Sequence, residues 1–156
     1  MILEFCPLEG RSGHEAAWEL LQKLYQSKTG DPLPAVERTP RGKPYFPGSP
    51  WHFSISHTKN HAFCVLSRKN VAIDAEELDR DINLQLARKI LSPSEKQQYD
   101  AAPDKKQALL TFWVLKEAAA KLTGEGLRGF PNHTNFSLDD PRVTELCGCL
   151  VAVMEE

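Results

Sequence analysis

Hydrophobic side chains recur along this chain at two spacings, one typical of helices and one typical of strands. From residue 14 to residue 26 they recur every three or four positions, which predicts an amphipathic helix that ends near Gly30. Two apolar runs, at 52–58 and 61–67, are separated by a short polar break and predict a β-hairpin. The first half of the chain is therefore expected to combine a helix with antiparallel strands.

The segment between that helix and the hairpin is rich in proline. Six prolines lie between residues 32 and 50, and proline cannot donate the backbone hydrogen bond that regular structure needs. The segment is therefore predicted to be an extended, semi-rigid loop. Arg38, Arg41 and Lys43 cluster in it, and basic side chains on a restrained backbone are suited to binding phosphate.

The second half of the chain begins with another strand pattern. Residues 71–78 predict a strand in which Val71 and Ile73 face one way, whereas Asp74 and Glu76 face the other. The elements predicted after it are a helix over 83–91, a short helix from a Ser92–Glu95 capping box to about Tyr99, a longer helix from Asp104 to Gly124, and strands at 135–138 and 149–154.

Length and charge exclude several classes of protein. The chain has 156 residues, 41% of them hydrophobic, and a formal net charge of −2, so no concentrated basic surface is available for nucleic acid. No apolar run approaches the ~18 residues that span a bilayer, and no leader-like segment opens the chain. We expect a cytoplasmic protein with no membrane or nucleic-acid partner.

Charge is divided unevenly between the two halves. Residues 1–70 carry nine basic and six acidic side chains, whereas residues 71–156 carry ten and fifteen. Such a division is commonly only solvated surface, but it also allows the first half to favour anions and the second half cations.

Cysteine and histidine spacing does not indicate a zinc site. The four cysteines contain no C-x-x-C pair, which also argues against a disulfide framework. His52, His57 and His61 are poorly placed for one ion on two strands joined by a turn. Ser56 and His57 are adjacent and point to opposite strand faces, so they do not form a serine-hydrolase pair.

Two acidic side chains project from one face of the strand at 71–78. Asp74 and Glu76 lie about 7 Å apart at Cα, where two like charges are costly to bury unless a cation lies between them. Oxygen-only ligands favour Mg²⁺ or Mn²⁺ over zinc or copper. The alternative is a strand that leaves the core into solvent, because further acidic residues follow at once.

A second acidic group lies on the predicted long helix. Trp113, Glu117 and Lys121 are four residues apart and therefore form one stripe. A Glu117–Lys121 pair alone is typical of a solvent-exposed helix face. A large indole ring beside a carboxylate instead indicates a lined cleft.

The order of four segments is more specific than any one of them. GKPYF (42–46), HFSISHT (52–58), VAIDAEEL (71–78) and FWVLKEAAAKLTGEGL (112–127) follow one another along the chain. This series resembles the 4′-phosphopantetheinyl transferase superfamily, and its GKP and SISH segments resemble compact members of the Sfp-type branch. Its I-D-x-E and W-x-x-K-E-A-x-x-K motifs are specific in combination.

The resemblance implies an activity and a fold. Such enzymes transfer the 4′-phosphopantetheine group of coenzyme A to a serine of an apo acyl or peptidyl carrier protein, require Mg²⁺, and release adenosine 3′,5′-bisphosphate. The implied fold is α+β, with two similar α/β lobes, residues 1–69 and 70–156, that form a pseudo-dimer. The active site then lies in the cleft between the lobes, and the protein is expected to be a monomer.

The resemblance also implies roles for individual residues. The metal-binding carboxylates correspond to Asp74, Glu76 and Glu117, and Glu117 also matches the group that helps to deprotonate the carrier serine. Lys121 matches a lysine near the coenzyme A phosphates, and His57 matches a phosphate-contacting histidine beside Ser56. The segment that contacts the adenosine 3′-phosphate end corresponds to Gly42, Lys43 and Pro44.

Two other classes of function stay open. Ala72 stands where the family usually has glycine, and the chain is shorter at both ends than typical Sfp-type members. These departures are the basis for a catalytically silent module of the same fold that binds coenzyme A or a nucleotide. A plain interaction domain with an acidic surface strand is the third class, and it would show no Mg²⁺-dependent binding of coenzyme A.

Overall fold

Helices and strands alternate along the chain in the structure, a computed structural model that describes residues 1–126 and 133–156. Their order is β1 (Ile2–Pro7), α1 (Gly13–Thr29), β2 (Glu37–Arg38), β3 (Pro44–Tyr45), β4 (His52–His57), β5 (His61–Ser67), β6 (Val71–Glu77), a 3₁₀ turn (Leu84–Leu86), α2 (Ala87–Ile90), α3 (Pro93–Ala101), α4 (Lys105–Thr123), β7 (Val143–Leu146) and β8 (Cys149–Glu155). In this part of the chain, no helix combines the length and apolar character needed to cross a membrane. Leu127, the last residue of the fourth quoted segment, lies outside the described residues.

The first sheet is antiparallel and is packed against α1. β5 lies between β1 and β4. A capping box at Ser12 begins α1, and Gly30, at φ +79°, ends it in the left-handed region that glycine adopts without strain. Leu21 and Leu24 of α1 are buried in one cluster with Phe53 of β4. The predicted helix and hairpin are therefore confirmed.

The proline-rich segment contains one short pair of strands. β2 pairs with β3 in antiparallel register, and Gly42, at φ +92°, lies in the turn between them. The expectation of a loop without regular structure is therefore wrong at these residues. Proline is tolerated at residue 44 because β3 pairs only with β2. The missing N–H of Pro44 therefore removes no hydrogen bond to a second neighbouring strand.

The second sheet is antiparallel and is packed against α4. β8 lies between β6 and β7. Asp104 caps the start of α4, and Gly124, at φ +74°, ends it. Leu115 and Ala118 of α4 are buried in one cluster with Leu150 of β8. The predictions of the long helix, of the strand at 71–78 and of the strand at 149–154 are confirmed.

Several expectations in the second half are corrected. Residues 135–138 form no strand, because side chains of α3 take up their backbone groups: Phe136 N–H donates to Glu95 Oε1 at 3.0 Å, and Leu138 N–H donates to Gln98 Oε1 at 3.0 Å. The predicted helix over 83–91 is divided into the 3₁₀ turn and the four-residue α2. Leu91 is extended because the capping box at Ser92 needs a non-helical entry to α3.

Two serine hydroxyls join the sheets along their edge strands, β4 and β6. Ser54 Oγ accepts a hydrogen bond from Ile73 N–H at 3.1 Å, and Ser56 Oγ accepts one from Ala75 N–H at 3.2 Å. Phe63 of β5 is packed in one buried cluster with Ile73 and Ala75. The position of β6 relative to β4 is thus fixed by both hydrogen bonds and apolar packing.

Candidate active site

Three acidic side chains face one another across β6 and α4. Asp74 and Glu76 project from β6 on the face that turns away from the buried side chain of Ile73. Glu117 comes from the middle of α4, and the charges of Asp74 and Glu76 both act on it. The structure therefore brings together the three carboxylates that the resemblance assigns to a metal.

The stripe of α4 that carries Glu117 is packed against β6 rather than exposed to solvent. Trp113 Nε1 donates a hydrogen bond to Glu76 Oε1 at 3.1 Å. Lys121 Nζ donates to Asp74 Oδ1 at 2.8 Å and to Ile73 O at 3.0 Å. Lys121 is thus paired with Asp74, so the interpretation of a Glu117–Lys121 surface pair is wrong.

The pKa of the Glu117 carboxyl group is shifted toward neutral pH. Burial, together with a negative charge on Asp74 that outweighs the positive charge of Lys121, raises the pKa of Glu117 to about 7. Glu117 also lines the cavity described below. A carboxyl group of this kind exchanges a proton readily near neutral pH.

Asp74 is buried and only partly compensated. The residue is 7% exposed, and burial raises the pKa of its carboxyl group although Lys121 opposes the change. Oδ1 accepts from Lys121, whereas Oδ2 is buried without a hydrogen-bond partner in the described part of the chain. A buried carboxylate oxygen without a donor is a position where a cation is favourable.

Glu76 is held by a cation and a ring. Arg80 Nη1 lies 2.5 Å from Glu76 Oε1, and the Arg80 guanidinium stacks 5.6 Å from the centre of the Trp113 ring. Because Trp113 also donates to Glu76, the direction of this carboxylate is set from two sides.

A cavity of about 250 Å³ opens beside Glu117 and Lys121. Its walls come from the turn between β2 and β3, from β4, and from α4 with the residues that follow it. The lining residues are Arg41, Gly42, Lys43, Pro44, Phe53, Ser54, Ile55, Glu117, Ala120, Lys121, Gly124 and Gly126. The structure therefore brings the GKP segment and the stripe of α4 to one cavity.

Lys43 connects the turn between β2 and β3 to the end of α4. Its Nζ donates to Leu122 O at 2.8 Å and to Asn70 Oδ1 at 2.8 Å. Burial lowers the pKa of Lys43. A Cβ on Gly124 would make only an ordinary van der Waals contact with Lys43 Cδ, at 3.5 Å, so glycine is favoured there by its φ of +74° and not by lack of space. Lys43 is thus both a cation at the cavity and a brace for its wall.

Ser56 and His57 lie outside the lining of this cavity. Ser56 is buried at the junction of β4 and β6, where its hydroxyl accepts from Ala75 N–H. His57 is exposed at the end of β4 and its ring lies against Gly13, in the first turn of α1. Helix N-termini favour anions, so His57 stands in a setting compatible with phosphate.

The sequence motifs assign no role to two residues of the site, Asn70 and Ser54, although Ser54 lies within the SISH segment. Both use side-chain hydrogen bonds to hold parts of the cavity wall. Asn70 Nδ2 donates to Leu122 O at 3.1 Å, beside the Lys43 ammonium. The S-x-S spacing of Ser54 and Ser56 is the one hint available, since it places two hydroxyls on one strand face.

Comparison with known proteins identifies the family. Residues 70–149 match the family model described as the 4′-phosphopantetheinyl transferase superfamily. The chain is 34% identical over 134 residues to 4′-phosphopantetheinyl transferase psf-1 of Bacillus pumilus, an alignment that covers 84% of this chain and 53% of that protein. It is 34% identical over 95 residues to 4′-phosphopantetheinyl transferase HetI of Nostoc sp., covering 56% of this chain and 40% of that protein.

The α+β fold, the three carboxylates beside the cavity and the match to the family model together define the class of this protein. The chain belongs to the 4′-phosphopantetheinyl transferase superfamily, and the resemblance found in its motifs is confirmed. It spans about half the length of psf-1 and less than half that of HetI.

Proposed function

We propose that this protein transfers the 4′-phosphopantetheine group from coenzyme A to a serine hydroxyl of an apo acyl or peptidyl carrier protein, releasing adenosine 3′,5′-bisphosphate. The observation that carries the proposal is the group formed by Asp74, Glu76 and Glu117 beside a cavity with basic residues in its wall. A phosphate-bearing substrate and a metal-binding carboxylate set are the two requirements of this reaction.

The donor set fits a magnesium ion. Asp74, Glu76 and Glu117 offer only oxygen ligands, which small hard cations prefer. Among the described residues, Asp74 Oδ2 is buried without a hydrogen-bond partner. The raised pKa of Glu117 reflects burial together with negative charge that Lys121 and Arg80 do not cancel. These three carboxylates would hold Mg²⁺, which when bound supplies positive charge that stabilises the departing phosphate.

Glu117 acts as the base in this proposal. The carrier serine must lose its proton as its oxygen attacks phosphorus, and Glu117 accepts that proton at a carboxylate oxygen, directly or through one water. The pKa of about 7 belongs to the metal-free site, and a bound cation would lower it, so that the carboxylate is ionised and able to accept a proton at neutral pH. Trp113 and Lys121 lie four residues before and four residues after Glu117 along α4, and they donate hydrogen bonds to Glu76 and Asp74, the other two carboxylates of the site.

Basic groups at the cavity bind the phosphates of coenzyme A. Lys121 adds a positive charge beside the proposed metal ligands, and Lys43 adds one where its ammonium group donates to Leu122 O at the end of α4. Gly42 exposes its backbone, because a Cβ at this position would meet no atom within 4 Å, and Pro44 stiffens the same turn. We assign the adenosine 3′-phosphate end to Gly42, Lys43 and Pro44, and a phosphate contact to His57 beside Ser56.

The proposal includes the arrangement of the whole protein. Two similar lobes, residues 1–69 and 70–156, form a pseudo-dimer with the active site in their cleft, and the protein acts as a cytoplasmic monomer. The cleft between the lobes is supported by the cavity, because its lining combines residues between 41 and 55 with residues of α4.

A panel of apo carrier proteins tests the proposed activity. The purified protein is incubated with coenzyme A, Mg²⁺ and carriers of fatty-acid, polyketide and peptide synthesis, and each carrier is weighed by mass spectrometry. We expect the mass of one phosphopantetheine group on at least one carrier, and no addition when Mg²⁺ is removed by a chelator. No added mass on any carrier would reject the proposal.

Glu117→Gln tests the assigned base and ligand in the same assay. Loss of one charge-bearing group that acts in proton transfer costs roughly 10²–10⁴-fold in rate. Glu145→Gln makes the same chemical change on the exposed face of β7 and should leave the rate unchanged. An undiminished rate for Glu117→Gln would remove Glu117 from both roles.

Binding without transfer is the alternative outcome. Ala72 is fully buried on β6, where the family usually has glycine, and a change there can affect the approach of a nucleotide. If calorimetry shows Mg²⁺-dependent binding of coenzyme A while every carrier stays unmodified, the protein is a silent binding module of the same fold.

A further inference from the structure

His61, Cys147 and Cys149 form a cluster of possible metal ligands, in which His61 is far in sequence from the two cysteines. Their ligand atoms all lie within 4.8 Å of one another. His61 is the first residue of β5, Cys149 is the first residue of β8, and Cys147 lies in the two-residue turn between β7 and β8. The cluster therefore needs both sheets in place.

This cluster lies on the opposite face of β6 from the proposed magnesium ligands. Cys149 is packed with Phe63 and Ala75 in the buried cluster that joins the two sheets. His61 shares a strand face with Phe63, because the two residues are two apart in β5. Asp74 and Glu76 alternate with Ala75 and point the other way. The cluster is thus separate from the proposed active site.

The backbone holds these ligands in place before any ion arrives. Thr58 N–H donates to His61 O at 2.8 Å, and His61 N–H donates to Thr58 Oγ1 at 3.1 Å, which fixes the turn that precedes β5. Cys147 has φ +44°, a left-handed conformation that non-glycine residues adopt rarely, followed by Gly148 at φ +76°. This turn returns the chain so that Cys149 lies beside Cys147.

An unsatisfied polar atom provides the second observation. His61 Nδ1 is buried without a hydrogen-bond partner in the described part of the chain. A buried ring nitrogen without a hydrogen-bond partner costs free energy, and coordination of a metal ion by that nitrogen removes the cost. Neither Cys147 nor Cys149 forms a disulfide, and the exposed Cys147 gives solvent access to the cluster.

The geometry points to a binding site for Zn²⁺ formed by one imidazole nitrogen of His61 and the sulfurs of Cys147 and Cys149. Tetrahedral zinc with bonds of about 2.3 Å to sulfur and about 2.0 Å to nitrogen holds its ligand atoms roughly 3.5 Å apart. A small contraction of the cluster meets this requirement. Three protein ligands leave the fourth position to water, and the two thiols release their protons on binding.

Cobalt(II) is the probe for this site, because thiolate-to-cobalt charge transfer gives a near-ultraviolet band that carboxylates do not produce. The full chain is reduced, its four thiols are counted, and Co²⁺ is titrated in excess Mg²⁺ so that the carboxylate site does not contribute. We expect one Co²⁺ per chain with the thiolate band, displaced by one equivalent of Zn²⁺. Zinc should also raise the melting temperature of the wild-type protein.

Three variants assign the signal to the cluster. Cys147→Ser and His61→Gln change residues that are not fully buried, so both should fold, and each should weaken Co²⁺ binding by roughly 10-fold or more. Cys6→Ser removes a thiol from β1 outside the cluster and should bind Co²⁺ as the wild type does.

Three results would overturn the zinc site. They are the absence of a thiolate band while all four thiols are reduced, a band of undiminished affinity in both Cys147→Ser and His61→Gln, and an equal loss of the band in Cys6→Ser. None of these readouts depends on transferase activity, so the site is tested independently of the proposed function.

Discussion

In the folded protein, the protonated and the ionised forms of Glu117 are both populated near neutral pH. Its ordinary pKa of 4.5 is raised to about 7 by burial, with the charges of Asp74 and Glu76 adding to the effect. The native state therefore binds a proton between pH 4.5 and 7 that the unfolded chain has already released. By linkage, the free energy of unfolding contributed by this group is highest below pH 4.5 and is lost as the pH rises through 7.

This linkage predicts a pH dependence that one substitution removes. In metal-free buffer, the free energy of unfolding of the wild type should fall relative to that of Glu117→Gln as the pH is raised from about 5 to 8. Chemical denaturation at several pH values measures both proteins. A constant difference between them across this range would show that Glu117 titrates with its ordinary pKa.

His57 can be displaced without being changed. A Cβ on Gly13 would overlap the His57 ring, so Gly13→Ala forces the imidazole away from the first turn of α1. If His57 contacts a phosphate of coenzyme A, the KM for coenzyme A should rise roughly 10-fold, as expected for the loss of one hydrogen bond to a charged group. Steady-state kinetics of transfer measures this effect.

The matched control for this prediction is the same substitution in a His57→Gly background, because the three atoms nearest to a Cβ on Gly13 all belong to the His57 side chain, its own Cβ at 2.9 Å included. With that side chain removed, the added methyl group at residue 13 no longer meets these atoms, and KM should not change further. An equal increase in both backgrounds would assign the effect to helix α1 rather than to His57.

At the level of elements, one buried ion pair connects α3, α4 and the segment that follows α4. Glu95 and Lys116 are both almost fully buried, and Lys116 Nζ lies 2.7 Å from Glu95 Oε2. The same carboxylate accepts from Ser92 N–H at 2.9 Å and from Phe136 N–H at 3.0 Å. Glu95 therefore caps α3 and holds residue 136 in place at the same time.

Removal of the cation from this pair should be costly. Lys116→Met leaves the Glu95 carboxylate buried without its counter-charge, and we expect a loss of about 3–5 kcal/mol in the free energy of unfolding. Lys96→Met, which breaks the exposed pair with Asp100 on α3, should change it by less than about 1 kcal/mol. Urea denaturation of the two variants measures both values, and similar losses would contradict the special role of the buried pair.

These contacts also explain which elements the sequence could predict. α1, α4 and the hairpin of β4 and β5 have strong hydrophobic spacing and clear end signals, and their predictions are confirmed. Residues 135–138 have a strand-like composition, but their backbone partners are the side chains of Glu95 and Gln98, which no local pattern reveals. β7 is not predicted either. It is joined to β8 by a turn in which Cys147 has a left-handed conformation, and cysteine at that position does not signal a hairpin turn as asparagine, aspartate or glycine would.

The same distinction holds for the candidate site. The stripe of Trp113, Glu117 and Lys121 and the alternation of Asp74 and Glu76 follow from helix and strand geometry, so their faces were predictable. That Lys121 pairs with Asp74 depends on how α4 crosses β6, and hence on the packing of the whole second half. The buried position of Ser56 depends on the contact between the sheets.

At the scale of the whole molecule, the contact between β4 and β6 couples the cavity to the carboxylates. β4 supplies one wall of the cavity, whereas β6 carries Asp74 and Glu76. Ser54 and Ser56 accept the backbone N–H groups of β6, and both hydroxyls are buried. The apolar cluster that Phe63 forms with Ile73 also joins the two sheets, so the hydroxyls and this cluster can each contribute to the alignment of β6 along β4.

Replacement of both serines should therefore affect stability and catalysis together. Ser54→Ala with Ser56→Ala leaves two backbone N–H groups without acceptors, at a cost of about 1–3 kcal/mol each. If the shared cluster alone sets the alignment, kcat stays at the wild-type value while stability falls. If the hydroxyls set it, kcat falls more than KM rises, because β6 shifts its carboxylates relative to the bound substrate. We expect the second result in steady-state assays, whereas the exposed Ser27→Ala on α1 should alter neither quantity.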